Sequence, residues 1–134
     1  MRKIIALVAL TGVGVAGCGG SDADSAAGGG EAKASAEQAV AIETFQFAPK
    51  AVTVAVGDTV TWKNGDSILH TVTSGTRTYD PGDSGKVTAS SKDGRFDMEL
   101  ADKGTSASHT FTEKGTFHYF CDRHPGMEAD VTVR

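Results

Sequence analysis

From Val40 onward the chain is a succession of short runs rich in Val, Thr, Phe and Tyr, repeatedly broken by Gly, Asp, Asn or Pro. No stretch carries apolar residues at convincing helical spacing. Runs this short bury an apolar face as strands, whose side chains alternate between two sides. The texture predicts an all-β sandwich or barrel. Strands are expected near residues 40–47, 51–56, 59–63 and 70–74, then near 96–100, 106–112, 116–121 and 128–133. Gly57-Asp58 separates the second and third runs at hairpin distance. Residues 75–95 are rich in Gly, Ser and Asp and read as a polar connection, with room for one edge strand at 86–89.

The chain before Val40 is of a different kind. Met1-Arg2-Lys3 is basic, and residues 4–17 are uncharged and end in Val15-Ala16-Gly17 before Cys18. A basic start, a short apolar run and small residues at its end make an export signal. As a helix the uncharged run spans roughly 21 Å, short of a ~30 Å hydrocarbon core, so a permanent span is not expected. Val15-Ala16-Gly17-Cys18 resembles a bacterial lipoprotein box. The resemblance implies cleavage before Cys18 and a lipid on that cysteine; a plain signal peptide cut in the Gly/Ala-rich stretch is the alternative. Residues 18–39 are almost wholly Gly, Ala, Ser and charged residues and read as a flexible tether. The expected organisation is therefore signal peptide 1–17, linker 18–39 and one domain, 40–134.

Lys plus Arg is 13 against 17 Asp plus Glu, a formal charge of −4. That balance excludes the basic stripe of a nucleic-acid binder. Removal of Arg2 and Lys3 with the signal would bring the charge to about −6, which suits a basic partner. Two cysteines in the whole chain, Cys18 and Cys121, exclude a disulfide scaffold and any four-cysteine zinc or iron–sulfur site.

The chemistry concentrates at Cys121-Asp122-Arg123-His124-Pro125-Gly126-Met127, where a thiol, an imidazole and a thioether recur at every third residue. A second imidazole, His70, opens a strand after the polar turn Asn64-Gly65-Asp66-Ser67. Two imidazoles and a thiolate with a weak axial methionine make a type 1 copper site. The lone-thiol reading agrees: in an exported protein a lipid would consume Cys18 and a metal would protect Cys121.

Val60-Thr61-Trp62-Lys63-Asn64, His70-Thr71-Val72, Asp83-Ser84-Gly85 and residues 117–127 together resemble the plastocyanin/azurin family of cupredoxins, with the short Cys-x-x-His-x-x-Met loop of amicyanin-like bacterial members. The resemblance covers nearly all of 40–134. It implies a Greek-key β-sandwich holding one copper ion, with His70, Cys121 and His124 as equatorial ligands and Met127 as the axial one. It further implies a monomer that carries electrons and meets redox partners by weak, transient contact near His124. Such a protein would be held at the cell envelope, on the periplasmic or extracytoplasmic face, by the lipid on Cys18. Two positions depart from the family. Thr71 stands where Asn commonly follows the first ligand His and helps tie the two ligand loops together; its hydroxyl could make a similar bond, and the departure leaves the rigidity of the loops open. Arg123 stands where many relatives have Pro and adds a positive charge, to be offset if Asp122 or Glu128 pairs with it.

Other residues read more plainly. Trp62 and Met98 are expected in the core, and His109 and His118 on solvent-facing strand positions. Phe120, on the face opposite Cys121, resembles the exposed aromatic that relatives carry beside the ligand cysteine. A copper delivery or buffering protein is the alternative function. An enzyme is not expected, because the chain lacks the additional histidines of a catalytic copper centre and the second nearby cysteine of a binuclear one.

Overall fold

The computed structural model describes residues 35–134. Among them the chain forms nine strands and no helix: β1 Glu37–Glu43, β2 Gln46–Ala48, β3 Ala51–Val54, β4 Thr59–Asn64, β5 His70–Asp80, β6 Asp83–Leu100, β7 Ser106–Thr110, β8 Gly115–Phe120 and β9 Glu128–Val133. They make two mixed sheets, β2-β1-β4-β7 and β3-β9-β8-β5-β6. β1 runs parallel to β4 and β3 parallel to β9, and the other pairings are antiparallel.

Alternation decides which side faces in. β9 buries Ala129, Val131 and Val133, and β4 buries Val60, Trp62 and Asn64. Val40, Ile42, Phe47, Val60 and Trp62 of the first sheet thus meet Val72, Leu100, Tyr119 and Val131 of the second in one core. Trp62 is fully buried, its ring 5.4 Å from that of Tyr119 and 5.8 Å from that of Phe96. A buried side chain of this size contributes roughly 2–3 kcal/mol of transfer free energy, so these aromatics anchor the two sheets to each other. The all-β sandwich and the core placement of Trp62 are as expected; Met98 is partly buried and packs against the core.

Four local expectations are corrected. The run 40–47 is two strands joined at Thr44 and Phe45, which adopt φ 53° and 59°. The Asp66 carboxylate accepts both of their backbone N–H groups, at 2.9 and 3.1 Å, and so holds a turn that the apolar pattern conceals. β1 begins at Glu37, inside the expected linker. Its register with β4 starts at Glu37↔Thr59, and Glu37 accepts a hydrogen bond from Thr61 Oγ1 at 2.7 Å. Backbone pairing orders these exposed residues without any apolar signal. Gly57-Asp58 is a crossing between sheets, not a hairpin, because β3 and β4 lie in different sheets. Finally, the polar connection after Ser74 is strand: β5 and β6 form one long hairpin turning between Asp80 and Asp83.

That hairpin bends where its register shifts, with Thr73 opposite Asp97 but Gly75 opposite Lys92. The Ser74 hydroxyl closes the bulge, donating to the Asp93 carboxylate and accepting the Phe96 N–H at 3.0 Å. Gly75 sits at φ 135°, and a Cβ there would lie 2.0 Å from the Ser91 carbonyl oxygen. Only glycine allows this approach. Gly75→Ala is expected to cost about 3 kcal/mol or more in urea unfolding of the metal-free protein. Gly94→Ala, strained at φ 76° but facing open space, should cost about 1 kcal/mol.

Candidate metal centre

The site is assembled from two segments at one end of the sandwich. The first is delivered by Asn64, fully buried at the end of β4. Its amide nitrogen donates to the carbonyls of Ile68 and Leu100 at 2.8 and 3.1 Å, and its oxygen accepts the Asp66 N–H at 2.9 Å. This shapes the turn that releases the chain into β5 at His70, which is fully buried. Asp66 Oδ2 then lies 3.0 Å from His70 Nε2. A carboxylate there accepts a hydrogen bond from Nε2–H, which fixes the tautomer whose Nδ1 lone pair is free on the other side of the ring. The N–H of Phe45 and then that of Thr44, with His70, hold the Asp66 carboxyl below the usual range against an opposing effect of burial.

The second segment follows β8. Cys121 is fully buried, and its N–H donates to the Met127 carbonyl at 3.0 Å. His124 N–H reaches the Cys121 carbonyl at 3.3 Å, and Met127 N–H the His124 carbonyl at 3.4 Å. These turns, with Gly126 at φ 81°, fold the loop back on itself.

The two segments meet at sulfur. Cys121 Sγ lies 3.7 Å from His70 Nδ1 and 3.3 Å from His124 Nδ1. The Thr71 N–H points at the same sulfur from 3.3 Å, and the Thr71 hydroxyl accepts the Asp122 N–H at 2.7 Å. Thr71 thus makes the cross-loop bond expected of it. One donor atom from each of His70, Cys121 and His124 falls within 4.8 Å of the others. Two imidazole nitrogens and a sulfur, buried and convergent, fit a copper ion of type 1. Met127, 1% exposed, is buried at the loop's closing point.

Charge and apolar surface are sorted around this cluster. Asp122 faces Lys92 at 3.0 Å and Arg77 at 3.6 Å, and Glu128 accepts from Tyr79 at 3.0 Å. Both acids expected to offset Arg123 are therefore engaged elsewhere. Phe45, 52% exposed, sets its ring edge-on to His124 at 5.1 Å and to His70 at 5.9 Å. Burial, then His70 and Arg123, push His124 below the ordinary histidine value.

The remaining candidates lie apart from the cluster. His118 is exposed and pairs with Asp130, while His109 is half-buried rather than solvent-facing, 4.8 Å from the rings of both Phe96 and Phe111. Phe120 is fully buried beneath the Arg77 guanidinium, 4.5 Å from its ring centre, so the exposed-aromatic expectation fails there. Cys18 lies outside the described residues. Asp66, Phe45, Arg77 and Tyr79 were not singled out from sequence. A carboxylate four residues before a ligand histidine was the one available signal, for Asp66.

Fold and site together define a copper protein of the cupredoxin type. The profile described as "Copper binding proteins, plastocyanin/azurin family" matches residues 34–134, and the chain belongs to that family. It is 29% identical to amicyanin of Paracoccus versutus over 99% of this chain and 95% of that protein. It is 32% identical to plastocyanin of Scenedesmus fuscus over 66% of this chain and 86% of that protein. Among solved structures, a purple cupredoxin from Nitrosopumilus maritimus is similar with a TM-score of 0.55 and 28% identity, covering 72% of this chain and 99% of that one.

The histidines make the metal-free fold acid-sensitive. Burial lowers the His109 pKa, and His124 is lowered as described. Unfolded, both titrate near ~6.5, so acidification protonates the unfolded chain first. Stability of the metal-free protein should be level about a unit above the unfolded value of ~6.5 and fall as pH drops through and below it. His109→Gln should flatten the fall in urea midpoint against pH.

Proposed function

We propose that this protein is a type 1 copper electron carrier, with His70 Nδ1, Cys121 Sγ and His124 Nδ1 as equatorial ligands and Met127 as a weak axial one. A copper ion held there supplies a one-electron Cu(II)/Cu(I) couple. The observation that carries the reading is the convergence of two imidazoles on one buried sulfur that also receives the Thr71 N–H. A hydrogen bond to sulfur stabilises the thiolate, and fixed loops on both sides keep the ligands from rearranging when the charge changes. The same burial argues for carrying over delivery. Metal handover needs ligands open to an incoming protein, whereas His70 and Cys121 are each 0% exposed.

Electrons leave and enter by the half-buried His124. Phe45 and, on the chain leading to His70, Ile68 are exposed apolar residues, 52% and 38% accessible. Exposed apolar side chains here suit brief docking of a redox partner, with no long-lived interface. We further propose that the chain is exported as a monomer and anchored at the cell envelope by a lipid on Cys18. Cys18→Ser should move it from the membrane to the soluble fraction of its host.

Adding Cu(II) to the purified domain should produce intense absorption near about 600 nm, the signature of copper–thiolate bonding in such sites. Cys121→Ser should abolish the band while leaving the fold intact. A parent protein that stays colourless with Cu(II) bound would refute the reading.

A further inference from the structure

Arg77 carries a permanent charge on a side chain only 3% exposed. Burying a guanidinium costs several kcal/mol unless its surroundings compensate, so its partners are informative. All of them lie at the ligand loop. Nη1 donates to the His124 carbonyl at 3.0 Å, Nη2 lies 3.6 Å from the Asp122 carboxylate, and the guanidinium covers the ring of Phe120, the residue before Cys121. Two residues further along β5, on the same face, the Tyr79 hydroxyl accepts the Gly126 N–H at 3.0 Å and donates to Glu128 at 3.0 Å.

The loop needs such support. Of its own backbone hydrogen bonds, those of His124 and Met127 are long, 3.3 and 3.4 Å, where 2.9–3.0 Å is usual. Thr71 holds one side through Asp122 N–H. The β5–β6 hairpin reaches the loop from another side, because it runs on past Gly75 after its pairing with β8 at Thr73 and Ser74.

We propose that Arg77 and Tyr79 are positioning residues that clamp the 121–127 loop in its metal-binding shape, and that the extended hairpin exists to carry them there. The clamp acts on the polypeptide itself, independently of the metal. Its consequence for copper, slow release and little rearrangement, rests on the function proposed above.

The test uses the domain in two states, with Arg77→Met and Tyr79→Phe as variants. In the metal-free protein, amide exchange within residues 121–127 should be about tenfold faster in each variant, the scale of one lost hydrogen bond. Exchange in β4 and β9 should not change. In the reduced, copper-loaded protein, transfer of Cu(I) to bathocuproine disulfonate should be about tenfold faster. Unchanged loop exchange in Tyr79→Phe overturns the clamp, as does acceleration spread equally over the whole sandwich. If the parent takes up no copper, the proposed function fails, and the metal-free exchange alone still decides the clamp.

Discussion

The hydrogen bond from Thr71 N–H to the Cys121 sulfur, at 3.3 Å, is the contact on which the site depends. It joins chain segments that adjacent strands of one sheet, β5 and β8, bring together from fifty residues apart. Once Thr71 is held against the sulfur, His70 is held beside it, because the two are neighbours at the start of a strand. The Asp122 N–H bonded to the Thr71 hydroxyl fixes the residue after the cysteine in the same way. A buried sulfur anion without such donors would be costly, since the interior does not solvate charge. The donor therefore both stabilises the thiolate form and sets the distance between the ligand segments.

What the sequence made legible was what chemistry and alternation write directly. The Cys121, His124 and Met127 spacing is local, and the alternation of β4 and β9 shows an inside and an outside. The β5–β6 hairpin beyond Gly75 has no such signal. Its residues are largely exposed, so pairing, not burial, makes them strand. Phe45 was hidden for the opposite reason. It sits in an apolar run that reads as continuous strand, and a turn at positive φ is revealed only by the Asp66 carboxylate arriving from another loop. Arg77 and Tyr79 escaped notice because nothing in a Gly- and Ser-rich stretch says which side chains will fold back over a distant loop.

The outcome is a site with two unlike sides. On one, Arg77, Lys92 and Asp122 form a charged group that faces the loop. On the other, Phe45 closes over both histidine rings and stands half in solvent. The Asp66 carboxylate ties them together, since it orients His70 and holds the turn that presents Phe45. A change at Asp66 would therefore disturb a ligand and the neighbouring surface at once.

This division separates the forces that govern an encounter. The chain's excess of acidic residues acts within a screening length of about 8–10 Å, whereas the side chains beside the histidines act at touching distance. At contact, desolvating exposed Phe45 costs nothing in lost charge hydration, whereas covering Arg123, whose potential acid partners are engaged elsewhere, does. Exposed Phe45 beside His124 is thus the less costly surface to desolvate. On the charged side, Arg77 and Lys92 are paired with Asp122 of the ligand loop.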